Sequence, residues 1–184
     1  MRNQLLLFSL LLFLGCARKY PAYEFLPKEK FPQSWIGVWS GKLQIYSTKG
    51  LMQTVQMELE ILPTDQPDIF TWALTYGEDQ MKERRSYELK TINAEEGIYV
   101  IDEKNSIILE SYLYHNKLIS RFEVQGNLLI CTYEKRKDQL IFEVMAGADQ
   151  AINTTGGKEM DGDTIPEVRS FSMSVSQRAI LKKG

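Results

Sequence analysis

Between Ser106 and Val144 apolar and polar side chains alternate almost one for one, and short turn-forming pairs interrupt the alternation. A period of two marks strands with one face buried and the other in water. The stretch therefore predicts four antiparallel strands: Ser106 to Tyr114, Lys117 to Gln125, Leu128 to Glu134 and Gln139 to Val144. Two-residue turns are expected at His115-Asn116 and Gly126-Asn127, where the backbone must accept positive φ, and a four-residue loop at Lys135 to Asp138. Those turns set the partners. Leu113 is expected to face Leu118, Ser111 Ser120, Leu109 Phe122 and Ile107 Val124; on the next hairpin Val124 should face Leu129, Phe122 Cys131 and Ser120 Tyr133, with Tyr133 facing Leu140 beyond. One face becomes nearly all apolar, while Glu110, Arg121, Glu123, Thr132, Glu134 and Glu143 share the other; a slip of one residue would bury those charges.

The same period runs through the rest of the chain. Trp39, Gly41, Leu43 and Ile45 share a face of a strand ending near Ser47, a turn follows at Lys49-Gly50, and Val55, Met57, Leu59 and Ile61 share a face of the next. Phe70, Trp72, Leu74 and Tyr76 form a third set, Arg85, Tyr87 and Leu89 a fourth, and Ile98 to Asp102 is a short strand. Gly77 to Glu83 is a polar connection with a helical turn expected at Met81 to Glu83. Gly147 to Glu167 reads as a long polar loop, and Val168 to Lys183 as one closing strand with Phe171, Met173, Val175 and Ala179 on its apolar side. About ten strands in hairpin succession, with no amphipathic helix between them, predict an all-β fold: an antiparallel up-and-down meander. Closing it into a barrel removes the exposed edges.

At the N-terminus the pattern is different. Arg2 precedes an apolar run from Leu5 to Leu14, too short to span a bilayer comfortably and suited to an export signal. Phe13-Leu14-Gly15-Cys16 resembles the lipobox of bacterial lipoproteins, with Phe13 where leucine is usual. The resemblance implies cleavage before Cys16, lipidation of its thiol and attachment to a membrane of the bacterial cell envelope. Ala17 replaces the aspartate that in some bacteria marks inner-membrane retention, which points to the outer membrane. The expected organisation is a signal peptide over 1–15, a tether and barrel cap over 16–34 containing Pro21, Pro27 and Pro32, and a barrel domain over 35–184.

Composition narrows the partners. The 22 basic and 24 acidic residues are interspersed, so no basic stripe is offered to nucleic acid. With Cys16 assigned to the anchor, Cys131 has no partner for an internal disulfide and reads as a small buried hydrophobe.

Gly37-Val38-Trp39 opens the first barrel strand, and this Gly-x-Trp resembles the start of lipocalins and the broader calycins. In that family an arginine of the last strand packs over the tryptophan at the closed end, which implies Arg178 over Trp39. Ten strands and no helix after the barrel make the fatty-acid-binding-protein-like branch the closer shape. The chain is also similar to lipocalin-like bacterial lipoproteins, a resemblance that carries no activity with it.

A barrel of this size has room for a small apolar or amphipathic molecule. The residues expected to line such a pocket are Trp72, Tyr76, Arg85, Tyr87, Ser111, Ser120, Phe122, Tyr133, Phe142 and Met173. Tyrosine hydroxyls, the two serines and Arg85 would anchor a carboxylate or phosphate headgroup. Leu43, Val55, Met57 and Leu109 complete the inward set, and the alternative is that these side chains simply fill the interior. Outward Ile108, Tyr112, Ile119, Ile130 and Ile141 support a different reading, an envelope protein–protein interaction module with a protein partner near Tyr112 and Ile119. No catalytic constellation is visible and no cofactor is implied. His115 sits in a turn, unsuited to holding haem or metal, and Glu159, Asp161 and Asp163 lack the spacing of a calcium loop.

Overall fold

The computed structural model describes residues 30–184; the expected signal peptide and the expected lipidation of Cys16 lie outside the described residues. Its strands follow the alternation in order: β1 (Gly37–Ser47), β2 (Gly50–Ile61), β3 (Ile69–Tyr76), β4 (Glu83–Asn93), β5 (Ile98–Asp102), β6 (Ile108–Tyr114), β7 (Lys117–Val124), β8 (Asn127–Arg136) and β9 (Gln139–Ala148). Four short strands come next, β10 (Ala151–Thr155), β11 (Lys158–Met160), β12 (Asp163–Ile165) and β13 (Val168–Phe171), and then β14 (Val175–Lys183). Strands β1 to β9 pair with their sequence neighbours, and β14 pairs antiparallel with both β9 and β1. The result is the closed ten-strand antiparallel meander that the periodicity predicts.

The inward faces are the predicted ones, but two hairpin registers move by two residues. Tyr114 pairs with Lys117 across His115-Asn116, and Leu113 and Ser111 pair with Leu118 and Ser120 as expected. The next turn is Gln125-Gly126, with φ of 50° and 74°, so Val124 pairs with Asn127, Phe122 with Leu129, Ser120 with Cys131 and Leu118 with Tyr133. Positive φ at both central residues is what a type I′ turn requires, with glycine in the second place. The following turn is the pair Lys137-Asp138 rather than a four-residue loop, which sets Tyr133 against Phe142. A shift of two leaves every side chain on its own face, so the core survives the correction. The first turn likewise lies at Thr48-Lys49, with Ser47 paired to Gly50, and the helical turn after β3 is Asp79–Met81.

The long connection is not a loop. Strands β10 and β13 pair with each other, as do β11 and β12, making a two-part ribbon that stands out from the end of β9. Residues 168–183 are therefore divided between ribbon and barrel. Phe171 and Met173 are 41% and 54% exposed, so Met173 is not a lining residue.

One end of the barrel is closed by aromatic packing. A short 3-10 helix, Gln33–Trp35, brings Trp35 and Phe31 into it, both buried. The Phe31 ring meets Tyr99 at 4.8 Å and Trp35 at 4.7 Å, both edge-on. The series continues to Trp72 at 6.5 Å from Trp35, Tyr133 at 4.9 Å from Trp72 and Phe142 at 5.0 Å from Tyr133. Leu59, Ile61, Leu89, Leu118, Leu140 and Leu181 pack around this column, all with no exposed surface. Trp39 joins it and donates its indole N–H to the Trp35 carbonyl at 2.8 Å.

Arg178 does not cover Trp39. It pairs with Gln44 in the β1–β14 ladder and reaches Glu143 at 3.2 Å on the outer surface. Lys183 lies opposite Trp39 instead, with its ammonium 5.7 Å from the ring centroid. Its side chain fills the space that a side chain on Gly37 would need, since a Cβ there would come within 2.5 Å of Lys183 Cε. The seam is equally tight at Gly41, where an added Cβ would meet the Ile180 carbonyl oxygen at 2.4 Å. Backbone cannot yield as a flexible side chain does, so Gly41→Ala is expected to destabilise the barrel by about 1–3 kcal/mol through overpacking. Thermal and urea unfolding of the variant check this; an unchanged midpoint would show that the seam gives way freely.

Candidate functional site

Away from the plug the barrel opens into two connected spaces. The outer is a broad vestibule of about 730 Å³ between β1, β2, β14 and the connection from β3 to β4. Gln53, Thr54, Gln56, Gln177, Glu78 and Glu83 make much of its wall polar. The inner is a pit of about 130 Å³ walled by Leu74, Leu109, Phe122, Leu129, Phe142 and Val144, with Tyr133 and Cys131 beside them. A benzene-sized cavity is about 150 Å³, so the pit has room for one small ring or a short chain. Tyr76 and Arg85 belong to both spaces and stand at the join.

Alternation puts these groups there. Tyr76 and Arg85 lie on inward positions near the open ends of β3 and β4, Tyr76 half-buried against the core and Arg85 exposed beside it. Arg85 holds Glu83 at 2.9 Å and lies 5.3 Å from the Tyr76 ring centroid, a cation–π distance. Burial pushes the Tyr76 hydroxyl up to about 12, with the Arg85 charge working the other way. Tyr87 is also raised, chiefly by burial, and Tyr133 lies well above the ordinary tyrosine range for the same reason. At neutral pH all three hydroxyls carry their protons and can donate hydrogen bonds.

Of the expected lining residues, Tyr76, Arg85, Tyr87, Ser120, Phe122, Tyr133 and Phe142 surround the pit. Ser111 and Trp72 lie just outside its wall and are fully buried. The Ser111 and Ser120 hydroxyls are 2.7 Å apart and share one hydrogen bond, and Ser111 Oγ also lies 3.2 Å from the Leu109 carbonyl oxygen that can accept from it. Trp72 Nε1 is buried without a hydrogen-bond partner. Leu74, Ile101, Leu129, Val144 and Glu103 were not singled out from the sequence, although alternation placed Leu74 on the inward face. The polar vestibule went unread because its glutamines and threonine look like ordinary strand surface until the strands curve around them.

Cys131 is half-buried on the pit wall and cross-strand from Ser120, not Phe122. Burial pushes its thiol up to about 12, so it is protonated and has the character of a small hydrophobe. On the outer surface Ile108 and Tyr112 are exposed, Ile119 and Ile130 half-buried and Ile141 buried. His115 occupies its turn with φ of 56°. Among the described residues no three His, Cys, Asp or Glu side chains are grouped to hold a metal ion.

No protein-family model matches the sequence, and a search among curated proteins finds no match. Among solved structures the chain is similar to the S-type phycobiliprotein lyase CPES of Guillardia theta, with 6% sequence identity and a TM-score of 0.54. The similarity covers 81% of this chain and 88% of that one. At such identity the likeness is one of fold alone.

The Cys131 environment makes a direct prediction. Because the thiolate is the reactive form, alkylation of Cys131 at pH 8, followed by peptide mass spectrometry, should run at least a hundredfold slower in the native protein than in urea. Equal rates would mean that the pit wall does not bury the sulfur.

Proposed function

We propose that this protein binds a small amphipathic molecule, its slender apolar end in the pit and its polar or anionic head at Arg85 and the vestibule. The observation that carries the reading is the graded lining: aromatic and aliphatic at the bottom, a tyrosine–arginine pair at the join, amides and carboxylates outside. A ligand with that polarity gradient buries its apolar part without stranding a polar group, and an anionic head would compete with Glu83 for a guanidinium already in place. The lipobox-like sequence supports a setting in the bacterial cell envelope, with the barrel held to a membrane, the outer one on the evidence of Ala17, through lipid on Cys16. The solved neighbour is a lyase, which supports considering turnover as well. Against it stands the protonation of the pit groups: Tyr76, Tyr133 and Cys131 all hold their protons far above neutral pH, which suits hydrogen bonding and burial better than proton exchange.

The test uses 1-anilinonaphthalene-8-sulfonate, an aromatic probe with an anionic head. Its fluorescence should rise on binding. Val144→Trp, which fills the pit, should weaken binding at least tenfold with an unchanged fold by circular dichroism, and Arg85→Leu should weaken it about tenfold, less than for a fully buried charge because Arg85 is partly solvated. Probe affinity indifferent to both substitutions would overturn the reading.

The outer surface supports a second reading, association with another protein. Exposed Tyr112 pairs with Ile119; in the next ladder Thr132 is the direct partner of Ile119 and Ile130 its diagonal neighbour, and Ile130 pairs with Met145. Tyr112→Ser with Ile119→Lys should abolish any envelope crosslink made by the native chain while leaving probe binding intact. Crosslinking that survives the pair of changes would rule this surface out.

A further inference from the structure

Of the large apolar side chains left in water, Met52, Ile108, Tyr112, Met145 and Ile180 lie along the barrel strands, Ile152, Met160, Val168 and Phe171 lie on the ribbon, and five more stand at the turns around the open end. Leu51 lies just past the β1–β2 turn, Met81 ends the helical turn between β3 and β4, Ile107 precedes β6, Val124 ends β7 and Met173 precedes β14. All belong to the open end. They are 53%, 84%, 45%, 45% and 54% exposed in that order. Ile107 and Val124 lie two positions beyond Leu109 and Phe122 on the inward set, so the apolar lining runs past the cavity and onto the lip, and Met173 joins them at the foot of the ribbon. At the plugged end the exposed apolar groups, Leu62, Ile92 and Tyr114, occupy outward positions and face sideways.

We propose that this lip is a lipid-docking surface, seating the open end on a bilayer of neutral, zwitterionic headgroups with Leu51, Met81, Ile107, Val124 and Met173 among them. The lip side chains stand singly on separate turns. A protein partner reads a contiguous complementary patch, whereas a bilayer interface accepts separate protruding apolar groups. The charges on the same turns are mixed, Lys49, Lys82 and Lys104 with Glu78, Asp79 and Glu103. That mixture complements headgroups carrying both signs and lacks the basic excess that draws a protein to anionic lipid. The length of chain beyond the structure also fits. It joins at Lys30 beside the plug, and Ala17 to Lys30 fully extended reach at most about 50 Å. The barrel is about 28 Å tall, judged from an eleven-residue β1 at ordinary barrel tilt. Lipid on Cys16 and the lip can therefore meet the same bilayer. The ligand reading is not needed for this proposal.

The experiment places a tryptophan on the lip, Val124→Trp, or at the plugged end, Ile92→Trp, in the full chain reconstituted into phosphatidylcholine vesicles brominated along the acyl chains. Trp35, Trp39 and Trp72 are buried and supply a constant background. Emission from the lip tryptophan should fall by at least half relative to unbrominated vesicles, and emission from Ile92→Trp should not change. Adding Leu51→Ser, Met81→Ser and Ile107→Ser to Val124→Trp should restore it. Quenching at both sites, at Ile92→Trp alone or at neither would overturn the proposal, as would quenching that appears only when phosphatidylglycerol is present. Adding Arg85→Leu, which weakens probe binding, to Val124→Trp should leave the quenching of the lip tryptophan in the same vesicles unchanged, which keeps failure of the pocket distinct from failure of the docking surface.

Discussion

The column of Phe31, Trp35, Trp72 and Tyr133, edge-to-face at its two ends and tilted between the tryptophans, is the contact on which the remaining structure depends. Ten strands enclose more volume than their own inward side chains fill, and a cylinder open at both ends would be a wet channel with little hydrophobic driving force. Aromatic rings are the largest apolar groups available, and pairs at these distances contribute about 0.5–1.5 kcal/mol each beyond the area they bury. Stacked from the plug to Tyr133, they dry one half of the barrel. The other half then has a floor, and the height of that floor sets the depth of the pit. Core and cavity are thus two results of one packing arrangement.

This arrangement explains why the polar groups sit where they do. Beside the pit a buried hydroxyl needs a partner within the wall, which Ser111 and Ser120 find in each other. At the join, Arg85 keeps part of its guanidinium in water while lying against Tyr76, so its charge is available without the desolvation cost of full burial. Outside, Gln53, Gln177 and Glu83 occupy inward strand positions because water already reaches them.

The faces of the strands were legible in the sequence because each is recorded many times over, once in every second residue from Trp39 to Leu181. The partners across each hairpin were recorded only once, in the turn. Gly126 signals a turn, but glycine favours the second central place of a type I′ pair, which gives Gln125-Gly126 instead of Gly126-Asn127 and moves Cys131 from Phe122 to Ser120. The β1–β14 seam had no turn to announce it, being closed across the whole length of the chain, so Lys183 rather than Arg178 at Trp39 could be learned only from the ladder. Met173 was misplaced for a related reason: its alternation continues smoothly from Phe171 to Ala179, while the backbone changes partner from β10 to β9 between them. Tyr87, Phe122, Tyr133 and Phe142 of the pit wall followed from alternation, whereas Ile101 and Glu103 at the end of β5 did not.

The ribbon from β10 to β13 interrupts the barrel between its ninth and last staves. Strand β14 is consequently joined to the preceding sheet only by a protruding arm, while hydrogen bonds to β9 and β1 and the buried Ala179 and Leu181 hold it in the wall. Severing the arm would leave a nine-strand trough and one detached strand whose recognition surface is intact on both edges. The two pieces then have the makings of a complementing fragment pair, reassembling into the cylinder by strand insertion, with the pit restored only when the missing stave returns.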